Sequence, residues 1–385
     1  MDMNTKKKFQ PGKQRVALVL QGGGALGAYQ AGVYQALHEH DLTPDWIVGT
    51  SIGAINAAII AGNEPAVRMA RLKEFWNGIT HADALDMSKV PDPARRFNTW
   101  LATFDAALRG VPGFFSPRPF NPFAAGLPVD PEEASFYNTA ELAKTLGRLI
   151  DFDYLNAPGG IRLTVSAIKV SCGTLASFDN TGQDIGIEHV MASGALPPGF
   201  PPVRIGGELY WDGGLYSNTP LETVLEEEPR VDTLCFMVDL WSADGPEPST
   251  FDQVQTRQKD VMYASRSKEH IETYQRMHNL RRMVRALYAK VPAKLRSETE
   301  RLELEKMGRH TTMHVVRLAY AGRDWQMASK DINFSRGSIQ WRWEQGYRDA
   351  SRAIESAGWL AAVSTDTGVV VHELTPPIPD EHAQR

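Results

Sequence analysis

The stretch RVALVLQGGGALGAYQAGVYQALHEHDLTPDWIVGTSIGAINAAIIA, residues 15–61, decides the fold. Val16 to Leu20 is an unbroken apolar run of five residues, as expected of a strand buried on both faces. Gln21-Gly22-Gly23-Gly24 interrupts it as a loop. From Ala25 to Glu39 the spacing becomes helical, with Leu26, Tyr29, Val33, Ala36 and Leu37 on one stripe. Trp46 to Thr50 reads as a second buried strand. Ile52 to Ala61 follows as a helix that is small and apolar nearly all round, which predicts burial. Strand, helix, strand, helix in this order predicts a parallel sheet covered by helices.

Outward from that core, residues 63–110 read as helical, with Trp76 and Trp100 as core candidates. A stretch rich in Pro, Gly and aromatic residues follows from Gly110 to Phe123. It can be a lid, an acyl-chain contact or a packed surface loop, and the packed loop is the favoured reading. Strands are predicted at Ile161 to Val170, Val231 to Leu240 and Met313 to Tyr320. A hairpin is predicted over Arg204 to Trp211, turning at Gly206-Gly207. From Arg257 to Arg296 basic residues predominate, and Met277, Leu280, Val284, Leu287 and Val291 form a seam at spacings of three and four. A helix packed into the core with a solvated basic face is preferred there, and docking on anionic lipid is the alternative.

With 385 residues the chain exceeds the roughly 250–300 at which a single core stops growing, so a large domain with an appendage is expected. An apolar content of 42% with 23% charged residues excludes disordered, collagen-like and coiled-coil classes. A net charge of −5 gives no overall attraction to nucleic acid. Cys172 and Cys235 cannot staple a secreted scaffold and suit a reducing compartment. The basic start, with Lys6, Lys7, Lys8, Lys13 and Arg15, precedes an apolar run too short for a signal peptide. No stretch approaches the roughly 18 apolar residues of a membrane span, so the expectation is a cytoplasmic protein whose membrane contact, if any, is peripheral.

Two local patterns carry chemistry. Gly49-Thr50-Ser51-Ile52-Gly53 fits G-x-S-x-G between a buried strand and a helix, the context of a nucleophile elbow. A serine helix cap with glycines for a tight turn is its structural alternative. Gly22-Gly23-Gly24-Ala25-Leu26-Gly27 fits G-x-G-x-x-G, but the next strand ends on Gly49-Thr50-Ser51 with no carboxylate for a ribose. No Gly-Lys-Ser/Thr follows either, which removes the phosphate-loop reading. What remains is a nest of backbone N–H groups at a helix start, on the same sheet edge as Ser51. A hydroxyl and donors for a tetrahedral oxyanion are what acyl transfer needs. For the base, His189 is a weak candidate that fits a structural role better. Asp212 in Asp212-Gly213-Gly214, just after the hairpin, is the stronger one, although Asp-Gly-Gly is also turn chemistry.

In that order, the glycine loop Gly22 to Gly27, the serine motif Gly49 to Gly53 and the distant Asp212 to Gly214 resemble the patatin-like phospholipases. Met191 to Pro197, Phe200 to Val203 and Asn218-Thr219-Pro220 resemble the blocks around the family aspartate, so the likeness spans roughly residues 14–240. The resemblance implies a three-layer α/β/α fold with a mainly parallel sheet and a helical C-terminal extension. It implies Ser51 as nucleophile and Asp212 as its base, without a histidine. Oxyanion donors would come from Gly22, Gly23 and Gly24, with Gly23 and Gly24 favoured, and Gly27, Gly49, Gly53, Gly213 and Gly214 complete the motifs. The expected organisation is a basic tail (1–13), a patatin-like domain (14–250), a mostly helical extension with one strand (251–370) and a loose tail (371–385). The expected activity is hydrolysis of lipid acyl esters, phospholipid or lysophospholipid, with no cofactor, no metal and no nucleic-acid partner. Another carboxylester or thioester hydrolase, on a storage polyester or an acyl-CoA, stays open, as does a non-catalytic lipid-binding module. Peripheral contact with an anionic membrane also stays open, and the oligomeric state is not legible.

Overall fold

The computed structural model describes residues 14–80, 103–228, 231–264, 266–306, 311–321, 328–360 and 368–373. The basic tail 1–13, Trp100 and residues 374–385 lie outside them. Nine strands form one sheet: β1 (Arg15–Leu20), β2 (Trp46–Gly49), β3 (Arg162–Lys169), β4 (Leu175–Asp179), β5 (Val203–Ile205), β6 (Glu208–Asp212), β7 (Thr233–Asp239), β8 (Met313–Ala319) and β9 (Val369–Glu373). Their order is β9-β8-β7-β1-β2-β3-β6-β5, with β4 also paired to β3. From β9 to β3 every pairing is parallel. The edge beyond β3 is antiparallel, where β6 and the hairpin strand β5 join.

β1 lies at the centre and is covered on both sides, which explains its continuous apolar run. Val16, Leu18 and Leu20 belong to one buried cluster, with helices α1 (Ala28–Glu39) and α2 (Ile52–Ala61). Ala17 and Val19 belong to a second, with Leu221, Val224, Ile271 and Tyr274. The result is three layers, as expected. The predicted hairpin turn is present, with Gly206 and Gly207 at φ values of 57° and 87° that favour glycine.

Two expectations need correction. The stretch 251–370 is expected to carry one strand and 371–385 to be a loose tail, yet β8 and β9 both extend the parallel sheet, and β9 crosses that boundary to end at Glu373. Val369-Val370-Val371 is too brief a run to identify as a strand from pattern, and β9 exists because β8 offers it an edge. The second correction concerns the seam. Of the longer helices of this region, α3 (Phe251–Tyr263), α4 (Ser267–Ala289) and α5 (Arg336–Ser356), α4 carries it. α4 turns Ile271, Tyr274 and His278 to the body. Met277, Leu280, Val284 and Leu287, roughly 130° round the helix, are exposed, Leu287 at 64%. The preferred core-packed reading of the seam is therefore wrong. The period was correct, but three buried side chains on another face seat the helix.

α5 is bound to α1 at backbone contact. A Cβ on Gly32 would overlap the Trp343 carbonyl, and one on Gly346 would overlap the Tyr29 carbonyl. Tyr29 Oη donates to Asp349 Oδ2 at 2.9 Å and Trp343 Nε1 to Gln35 Oε1 at 2.7 Å across the same seam. We expect Gly346→Leu to lower unfolding free energy by about 2–3 kcal/mol through overpacking, read as a fall in the denaturation midpoint. An unchanged midpoint would show that the two helices do not hold each other.

Candidate active site

Ser51 stands at the turn from β2 into α2 with φ 56° and ψ −123°, a left-handed conformation that is strained for any residue with a Cβ. Its flanking glycines are required by contact. A Cβ on Gly49 would strike the Gly53 carbonyl, and one on Gly53 would strike the Leu20 carbonyl at the end of β1. The Ser51 N–H donates to Ser193 Oγ at 3.0 Å, which holds the turn from the other side. Because Ser51 caps α2, the positive end of that helix lies at the serine.

Asp212 ends β6 and is 2% exposed. Its carboxylate accepts the Gly214 N–H at 2.7 Å, and the Ser51 side chain lies near enough to lower its pKa. Burial pushes its pKa up to about 7, and these two contacts pull it partly back. A Cβ on Gly213 would meet the Ser166 carbonyl, and one on Gly214 would crowd Asn218 and the Asp212 carboxylate. Serine and aspartate, with 160 residues between them in the chain, thus come to line one cavity.

The glycine loop borders the same cavity. The Gly22 N–H donates to the Asn218 carbonyl at 3.1 Å, so it is already committed. The N–H groups of Gly23 and Gly24 have no backbone acceptor among the described residues. Gly24, at φ +54°, passes against the Asp331 carbonyl, where no side chain fits. Gly27 serves packing, since a Cβ there would overlap Ile52. His189 is structural: its Nδ1 accepts the Gly186 N–H at 2.9 Å and its ring packs on Phe178.

Several positioning residues were not read from sequence. Asn218 Nδ2 donates to the carbonyls of Gly22 and Tyr263, at 3.1 and 2.9 Å. The wholly buried Gln21 donates to Tyr263 O and accepts from the N–H of Trp241 at 3.0 Å. Trp241 Nε1 donates to Gly22 O at 2.8 Å. Asn218 lay inside a recognised block but without a role, and a lone glutamine after a strand carries no pattern.

The cavity holds about 300 Å³, and Ser51, Asp212 and Gly22 to Gly24 line it. Its wall is otherwise mostly apolar. Phe114 and Phe115 lie in it, so the Gly110 to Phe123 stretch is in part a cavity wall rather than only a packed loop. Phe200 packs on Phe115 at 5.2 Å and Phe334 on Phe114 at 5.8 Å. Among the described residues no group of three or more His, Cys, Asp or Glu converges to hold a metal ion. No described helix is long and apolar enough to cross a membrane.

The family model of patatin-like phospholipases matches residues 18–225, and a second model, described as patatin phospholipase, matches 261–366. An uncharacterized NTE family protein of Mycobacterium tuberculosis is 31% identical over 206 residues, 53% of this chain and 27% of that protein. A lysophospholipase of Eremothecium gossypii is 25% identical over 62% of this chain and 13% of its own length. A triacylglycerol lipase of Arabidopsis thaliana is 38% identical over 68 residues, 18% of this chain and 8% of its own. The chain thus spans only a small part of these relatives. Among solved structures, VipD of Legionella pneumophila covers 91% of this chain and 69% of its own at 17% identity, with a TM-score of 0.39.

The raised pKa of Asp212 has a stability consequence. An acid whose folded pKa lies above its unfolded 3.8 favours the fold at low pH, and this advantage is lost as pH rises through about 7. Asp212→Asn should therefore stabilise the protein, and the gain should grow by about 2–3 kcal/mol between pH 5 and pH 8. Urea titrations at the two pH values check this; a gain independent of pH would place the carboxylate in a solvated setting.

Proposed function

Because the chain belongs to the patatin-like phospholipase family, we propose that it hydrolyses lipid acyl esters through an acyl-enzyme formed on Ser51, with Asp212 as the only side-chain base. The observation that carries this reading is that a strained serine and a buried aspartate of pKa about 7 line one cavity.

In the first step Ser51 Oγ attacks the ester carbonyl while its proton passes to the Asp212 carboxylate. The carbonyl becomes an oxyanion that accepts the free N–H groups of Gly23 and Gly24, beside the N-terminal end of α2. The tetrahedral intermediate then collapses. The C–O bond to the alcohol breaks, and Asp212 returns its proton to the departing oxygen. Water repeats the sequence on the acyl-enzyme and releases the fatty acid. A serine hydroxyl is a far weaker acid than a carboxyl, so proton transfer runs together with attack. Raising the base from 3.8 to about 7 narrows that mismatch by about 4 kcal/mol. The apolar cavity, with Phe114, Phe115 and Phe200, supports an acyl chain as the group bound beside the serine.

Peripheral contact with anionic membrane belongs to the same proposal. It is supported by the exposed α4 seam and by the run Gln275 to Arg296, which holds seven Lys and Arg and no acid.

Ser51→Ala is expected to abolish both ester hydrolysis and labelling by a fluorophosphonate, with the fold kept. Asp212→Asn should cost about a thousandfold or more, in line with losing a general base. In the wild type kcat/KM should rise with pH and level off above about 7, since protonated Asp212 cannot accept the serine proton. A panel of phospholipid, lysophospholipid and short-chain ester assigns the substrate. Persistent hydrolysis by Ser51→Ala would end the assignment. In sedimentation with vesicles, anionic lipid should retain the protein at low salt and release it at high salt, and Leu280→Glu with Leu287→Glu should weaken retention. Retention indifferent to salt and lipid charge would exclude the membrane contact.

A further inference from the structure

The cavity has two chemically different parts. Phe114, Phe115, Phe200 and Phe334 form one by mutual ring contacts. The other lies against the glycine loop and is built from Trp241, Tyr263, Asp331 and Asn218. Tyr263 is the last residue of α3, and its ring packs on Trp241 at 5.3 Å. Its carbonyl is gripped by Gln21 and Asn218, the two side chains that also brace the loop. Lys259, one turn earlier on α3, holds both oxygens of Asp331 at 2.8 and 3.0 Å. A second ion pair, Lys330 with Asp260, joins the same two segments. Tyr263 is therefore fixed in place by bonds from both sides.

The polar groups of this part are almost all engaged. Asn218 Nδ2 serves two carbonyls, Trp241 Nε1 serves Gly22 O, and the Asp331 carboxylate serves Lys259. Tyr263 lines the cavity, and its hydroxyl has no hydrogen-bond partner among the described residues. Burial, with Asp212 and Asp331 near, raises its pKa, so it remains a protonated donor. The lysines here are matched by aspartates, so the subsite has no spare positive charge for a phosphate. It suits a neutral hydroxyl.

We propose that Tyr263 is a specificity-determining residue whose hydroxyl binds a free hydroxyl on the alcohol half of the ester, next to the scissile oxygen. The substrate class is then a monoacyl glycerolipid, a lysophospholipid or a monoacylglycerol. The acyl chain fills the phenylalanine part and the glycerol the Tyr263 part. This inference rests on the acyl-hydrolase reading and deepens it. It also gives the C-terminal part of the chain a role at the reaction, because Tyr263 and Asp331 lie beyond the residues matched by the first family model.

The test is a cycle of two proteins and two kinds of substrate. Wild type and Tyr263→Phe are assayed on a 1-acyl lysophospholipid, on the matching monoacylglycerol, and on the analogue of each that lacks the adjacent hydroxyl. A neutral hydrogen bond corresponds to roughly three- to tenfold in kcat/KM. The wild type should favour the hydroxylated member of each pair by that factor, and Tyr263→Phe should bring the ratio close to one. A preference in only one pair tells lysophospholipid from monoacylglycerol and supports the inference for that source alone. A wild-type ratio near one overturns it without any variant, and so does a ratio that survives Tyr263→Phe. If the wild type cleaves none of these and Ser51 is not labelled by a fluorophosphonate, the acyl-hydrolase reading itself fails and takes this inference with it.

Discussion

The backbone of α2 touches the end of β1 at Gly53, and much of the site follows from that contact. A residue with a Cβ there would collide with the Leu20 carbonyl, so helix and strand could not approach. Their approach places the strained Ser51 turn beside the loop that leaves β1, which is the glycine loop. Serine and loop amides therefore share one edge of the sheet, where parallel strands end and helices begin. No side chain could create this proximity alone. It arises because two adjacent parallel strands both give way to helices at the same level.

The aspartate is brought in by a different device. Asp212 arrives on β6, an antiparallel strand added beyond β3 at the edge of the parallel set. Asp212 is buried at that position, and its carboxylate accepts the Gly214 amide. The chemical consequence is a carboxyl whose affinity for a proton is far above that of a solvated aspartate. The same burial opposes folding at neutral pH. The site is thus less stable than an inert core would be, as is common where groups are held for reaction.

The region after residue 250 is an integral part of the molecule. β8 and β9 prolong the central sheet, α5 lies on α1 through paired glycines, and α3 ends on the residue that Gln21 and Asn218 hold. Chain length alone implies a large domain with an appendage, because length is silent about the partners each helix finds. Periodicity was informative about which elements form and silent about which face each one buries. α4 shows this most clearly. Its three-four spacing was read correctly, but Ile271, Tyr274 and His278 seat the helix and leave the seam outside.

From sequence alone, the chain revealed its strand–helix alternation, the two glycine-rich turns and the Asp-Gly-Gly motif, since each depends on local rules of backbone and period. The likeness to patatin-like phospholipases was readable for the same reason. Tertiary structure alone decided that Gly22 is committed to Asn218 while the N–H groups of Gly23 and Gly24 find no backbone acceptor among the described residues. It alone decided that Asp212 is buried, and that Tyr263 and Asp331 line the cavity. Hydrogen-bond partners and water exclusion depend on what folds against a residue from hundreds of positions away, and no local pattern encodes that.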